Sequence, residues 1–162
     1  MRKRSWPLAE IHFQHQRAIE VRRIIGDDIW NSYHRITIVR DPWEQFVSQF
    51  FWVTRNEVRG ASSIDDHFDE IIGITNNWKT YTIDDEIAVT HVLRYETLED
   101  DLRGPCADLG LKTRCDLPRA KSNVRPRSSE PERILSQAQI DRIGVVARRE
   151  IETFGYVPPR PA

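Results

Sequence analysis

The sequence predicts an α/β domain built on a parallel sheet. Two short runs rich in β-branched residues, Ile36–Val39 and Ile87–Tyr95, read as buried strands. Each passes into a helical pattern, and strands alternating with helices build layered α/β folds. With 162 residues the chain can close one such domain around a core. The domain is expected over residues 11–156, with tails at 1–10 and 157–162.

The elements follow in order. Residues 8–15 read as a short strand. A helix is expected from Ala18 to Trp30, with Ile19, Val21, Ile24, Ile25 and Ile29 on one apolar side and Gly26 as a break. Ile36–Val39 is apolar except for Thr37, which suits burial on both faces of a parallel sheet. A heavily aromatic helix runs from Pro42 to about Thr54, and a polar loop covers 57–63. Ser63 caps a helix to about Ile74 that carries Phe68, Ile71 and Ile72. Residues 75–85 read as irregular, with Trp78 and Tyr81 as packing or substrate-facing rings. After the strand Ile87–Tyr95, a helix spans Glu99 to Leu109 and stops at Gly110. A loop rich in Pro, Ser and Arg fills 112–130. One long helix is expected from Pro131 to Phe154, closed by Gly155.

Composition narrows the function classes. Charged residues make up 30% of the chain but cancel to −1, which argues against nucleic acid or a membrane surface as a bulk electrostatic partner. Two cysteines, Cys106 and Cys115, fit no metal spacing and no disulfide framework. They read as reduced thiols or as one bridge. No segment is apolar for long enough to span a membrane, and Pro7, Glu10, His12 and His15 interrupt any signal-peptide core. A cytoplasmic protein without a transmembrane segment is therefore expected.

The most informative stretch is Arg35-Ile-Thr-Ile-Val-Arg-Asp-Pro-Trp-Glu-Gln-Phe-Val-Ser48. A strand ends at Arg40. Asp41 can cap a helix, Pro42 suits its first position, and Glu44 lies three residues after the cap. An arginine is thus fixed at a helix N-terminus, where backbone N–H groups and the helix dipole favour an anion. Ser48 follows two turns later. The arrangement reads either as a phosphate site or as a plain ion pair between Arg40 and Asp41 or Glu44.

The stretch resembles the 3′-phosphate-binding segment of sulfotransferases that use 3′-phosphoadenosine 5′-phosphosulfate. It is most similar to the carbohydrate and membrane-associated group, which reads roughly Val-Arg-Asn/Asp-Pro-Trp-Asp-Arg-Leu-Val-Ser followed by aromatics. Arg40, Asp41, Pro42, Trp43, Val47 and Ser48 match, and Phe50, Phe51 and Trp52 supply the rings. Gln45 departs from a position that is usually basic. Weaker matches continue through Arg94-Tyr95-Glu96-Thr97-Leu98, through Leu117-Pro118 with Lys121, Ser122 and Arg125, and to Ile151–Tyr156. The resemblance implies a three-layer P-loop-like fold with a parallel sheet. It implies that Arg40 and Ser48 hold the cofactor's 3′-phosphate, with Lys121, Ser122 and Arg125 in the loop that closes over the nucleotide. The Tyr95-Glu96 pair reads as buried and structural beneath the sheet. The implied reaction moves a sulfuryl group from 3′-phosphoadenosine 5′-phosphosulfate to an acceptor hydroxyl, often on a carbohydrate.

The family's other phosphate loop, resembling Pro-Lys-Thr-Gly-Gly-Thr-Ser, has no counterpart in this sequence. All seven glycines are isolated, and none joins a lysine in a phosphate cradle. The expected fold therefore lacks its first strand-loop-helix unit. A truncated start, a degenerate paralogue, or an enzyme that recruits another cation would each account for that, and the chain alone is expected to be weak or inactive as a catalyst. The alternative is a non-catalytic module that binds an adenosine bisphosphate or another phosphorylated ligand. His15 is the candidate base, because relatives that use a histidine place it before the arginine-bearing strand and an imidazole suits the task. His12 and His15 have no third ligand at a sensible spacing, so no metal is expected; His34, His67 and His91 read as structural or solvated.

Overall fold

The computed structural model describes residues 16–57, 62–111, 117, 125–126 and 128–162. They form a mixed α/β structure in the order α1 (Ala18–Ile25), α2 (Asp27–Ser32), β1 (Ile36–Val39), α3 (Pro42–Val53), α4 (Ile64–Ile72), α5 (Trp78–Tyr81), β2 (Thr82–Ile83), β3 (Glu86–Ile87), β4 (His91–Arg94), α6 (Leu98–Asp101), α7 (Arg103–Asp108), α8 (Pro131–Ile134), α9 (Gln137–Val146) and α10 (Arg148–Phe154). β1 and β4 pair in parallel, with Ile36 opposite His91 and Val39 opposite Arg94. β2 and β3 form a separate antiparallel pair.

Several boundaries fall where local chemistry puts them. Gly26 has φ +80° and separates α1 from α2, a conformation that strains any residue with a Cβ. Asp41 caps α3 and Pro42 takes its first position. Ser63 and Asp66 close a capping box on α4.

Other expectations need correction. Ile87–Tyr95 is not one strand. Asp84 and Asp85 both have positive φ, at 50° and 68°, and turn the chain into the β2–β3 hairpin, so Ile87 belongs there and β4 begins only at His91. Residues 75–85 are accordingly ordered rather than irregular. The helix 99–109 breaks at Leu102 because Pro105 has no N–H to give the carbonyl of Asp101. The helix 131–154 is three helices. Leu135 is extended, Ser136 and Gln139 cap a fresh start, and Ala147 leaves helical geometry.

The main core lies between helices. Trp43, Phe46, Val47 and Phe50 of α3 pack with Phe68 and Ile71 of α4 and with Leu135, Ile140 and Ile143. These α3 positions recur at the three- and four-residue spacing of one helix face. A second cluster joins Val39 of β1 to Trp78 and Tyr81, with Val92 and Phe154 against it. Only that face of β1 is covered. Ile36 and Ile38 are 42% and 51% exposed, so the strand is not buried on both faces.

Tyr81 donates its hydroxyl to Glu150 Oε1 at 3.0 Å, tying α5 to α10 beneath this cluster. Burial pushes Glu150 up to about 7, against the downward pull of the Tyr81 hydroxyl and the Asn77 backbone. Burial likewise raises Tyr81, and the nearby Glu150 charge adds to it. Glu150 Oε2 is buried with no hydrogen-bond partner among the described residues. Among the described residues, no helix is long and apolar enough to cross a membrane.

Candidate functional site

The site is built where β1 hands over to α3. The Asp41 carboxylate accepts from the Trp43 N–H at 3.0 Å and the Glu44 N–H at 2.9 Å. Burial pushes its pKa up, while those two N–H donors pull it down. Its own N–H donates to Glu96 Oε1 at 2.8 Å, which joins the end of β1 to the segment after β4. The Trp43 indole donates to the Ile140 carbonyl at 3.0 Å and pins the start of α3 to α9. The helix N-terminus is therefore held from three sides before any ligand is considered.

Arg40 sits immediately before this cap. Its guanidinium lies over the Tyr95 ring, 4.3 Å from the centroid. Stacking occupies the flat face of the group and leaves its in-plane N–H donors free to meet an anion. One of them reaches Glu44 Oε2 at 3.5 Å, so the ion-pair reading of the sequence has a real partner, at the long end of the range. Glu44 is shared. Arg125 donates to both of its carboxylate oxygens, reaching Oε1 at 3.2 Å. Arg125 also donates to Ser129 Oγ at 3.0 Å and to the Ser129 carbonyl at 2.6 Å. The structure thus brings two of the expected site residues, Arg40 and Arg125, around one carboxylate. Arg125 is engaged in docking its own loop to α3, which is the work of a positioning residue.

Ser48 lies one helical turn beyond Glu44, on the same side of α3, because residues four apart share a face. It is half-buried, and no described residue takes or gives a hydrogen bond to its hydroxyl. Arg40, Glu44 and Ser48 therefore run in a line from the end of β1 along α3. His15, Lys121 and Ser122 lie outside the described residues, as do His12 and Cys115.

The expectation for Tyr95 and Glu96 is corrected. Neither is buried beneath the sheet; Tyr95 is 53% exposed and serves as the platform for Arg40. Register explains it. Val39 is opposite Arg94, so the next residues, Arg40 and Tyr95, emerge side by side from the carboxyl end of the parallel pair. Glu44 as a carboxylate shared by two arginines was likewise hidden, since Arg125 is 81 positions away in sequence.

No protein-family model matches the chain, and neither a curated protein nor a solved structure is significantly similar to it.

Proposed function

We propose that Arg40 and Ser48 anchor the 3′-phosphate of 3′-phosphoadenosine 5′-phosphosulfate, or of the adenosine 3′,5′-bisphosphate that sulfuryl transfer leaves behind, in a sulfotransferase-like protein. One observation carries the reading. A stacked arginine stands at the carboxyl end of a parallel strand pair, directly before a capped twelve-residue helix. Open α/β sheets bind ligands beyond the carboxyl ends of their strands, and helix N-termini favour phosphate. The β1–α3 unit and β4 are then one part of a three-layer P-loop-like fold.

The chemistry follows from the donors. Arg40 offers a planar fork suited to two phosphate oxygens, and Ser48 lies along the same face with a hydroxyl that no described residue engages. A phosphate arriving there replaces Glu44 at Arg40, while Glu44 keeps Arg125. Lys121 and Ser122 would add further donors. His15 would take the proton of the acceptor hydroxyl as its oxygen attacks sulfur and the bond from sulfur to the 5′-phosphate oxygen breaks. The acceptor class is a hydroxyl, as on a carbohydrate.

A second reading, a binding module without turnover, is favoured by the absence of a Gly-rich lysine loop from this sequence. Two measurements separate them. Calorimetric titration with adenosine 3′,5′-bisphosphate, compared with adenosine 5′-monophosphate, reports the anchor: the bisphosphate is expected to bind more tightly by at least about tenfold, the worth of one charge-assisted contact. Equal binding of the two nucleotides would remove the 3′-phosphate assignment. A sulfate-transfer assay over a panel of sugar acceptors then distinguishes enzyme from module.

A further inference from the structure

We propose a second site: His34, His91 and Asp108 bind a divalent transition-metal ion of the zinc class. It lies at the opposite end of the strand pair from Arg40. His91 opens β4, His34 comes two residues before β1, and Asp108 closes α7. The parallel register sets Ile36 opposite His91, which brings His34 alongside. One ligand atom from each residue falls within 4.8 Å of the other two. Donors on a tetrahedral ion with bonds of about 2.0–2.1 Å stand roughly 3.3 Å apart. His91 Nε2 and Asp108 Oδ2 are already 3.0 Å apart. The His34 ring stacks on that of His91, 5.5 Å between centroids and 29° between planes.

An outer partner orients the His91 ring: its Nδ1 lies 3.0 Å from the Thr90 hydroxyl, which is itself tied to the Arg35 backbone at 2.8 Å. That leaves Nε2 facing the Asp108 carboxylate, where a proton or a metal ion can lie between the two atoms. A proton would satisfy His91 and Asp108 alone. The second imidazole brought to the same point is what selects a metal.

Two imidazole nitrogens and one carboxylate oxygen suit zinc, cobalt or nickel better than magnesium or calcium, which take oxygen donors. Three protein ligands leave a position for water. Asp108 is half-exposed and His34 exposed, so an ion can enter from solvent. Because the ligands come from three separate segments, the ion would staple the lead-in to β1, the start of β4 and the end of α7.

The test is titration of the full chain with zinc chloride, followed by calorimetry and by thermal melting, with cobalt chloride as an absorption probe. One ion per chain is expected, with a higher Tm on binding and a cobalt spectrum of mixed nitrogen and oxygen ligation. His34→Gln and Asp108→Asn, both at exposed positions, are each expected to weaken binding at least tenfold while leaving the metal-free Tm unchanged. A His12→Ala/His15→Ala variant and His67→Ala are expected to bind as the parent does. Absence of stoichiometric zinc binding would overturn the proposal. So would binding that survives His34→Gln and Asp108→Asn, or that disappears with His12 and His15.

Discussion

Replacing Glu150 by glutamine should remove a pH dependence that is built into the fold. Glu150 is 5% exposed, takes the Tyr81 hydroxyl on one carboxylate oxygen, and among the described residues has no hydrogen-bond partner for the other. Burial raises its pKa from 4.5 to about 7 in the folded chain. Between those values the folded state holds a proton that the unfolded state has released, so this group makes stability fall as pH rises. Below pH ~4.5 both states are protonated and the group contributes no penalty. Above pH ~7 the penalty is complete and on the order of 3 kcal/mol, at about 1.4 kcal/mol per unit. Glutamine keeps an acceptor for Tyr81 and carries no charge. Urea denaturation of both proteins from pH 5 to pH 8 is the assay. Relative to wild type, Glu150→Gln should gain on the order of 3 kcal/mol across that range. Parallel stability curves would refute the reasoning, because they would mean that Glu150 titrates alike in the folded and unfolded states.

Two further outcomes follow from the site. Glu44→Gln removes the carboxylate that an incoming phosphate must displace from Arg40, and bisphosphate affinity should rise by up to about fivefold, matching the roughly 1 kcal/mol of a partly exposed pair; calorimetry showing weaker binding would mean that Glu44 is needed to position Arg40 instead. Trp43→Phe strips the indole donor from the buried Ile140 carbonyl and should cost about 1–3 kcal/mol in urea denaturation, with the smaller ring adding to it; an unchanged midpoint would show that this bond does not hold α3 in place.

Much of the β1–α3 unit was legible from short-range chemistry. Asp41, Pro42 and Glu44 announce a capped helix start, Gly26 announces a break, and Ser63 announces another cap. What was not legible depends on partners far away in sequence. Nothing near Tyr95 says that it will stand beside Arg40; only the parallel register does. Nothing near Glu44 says that Arg125 will reach it. Periodicity also misled. The apolar spacing across residues 131–154 fits one helix, yet Ser136 and Gln139 satisfy each other as a new cap and cut it. The Asp84-Asp85 pair forms a hairpin turn without the glycine that usually marks one. The β-branched run 36–39 did become a strand, but hydrophobicity alone did not reveal that Ile36 and Ile38 would stay exposed.

The central claim is that Arg40 holds a nucleotide phosphate. Titration of adenosine 3′,5′-bisphosphate into the wild-type chain, Arg40→Ala and Arg55→Ala tests it most directly. Arg55 also lies over a ring, that of Trp52, and serves as a matched arginine away from the strand end. Wild type and Arg55→Ala should bind the bisphosphate, and Arg40→Ala should lose at least about tenfold in affinity. Equal affinity in all three proteins, or no binding to wild type, would contradict it.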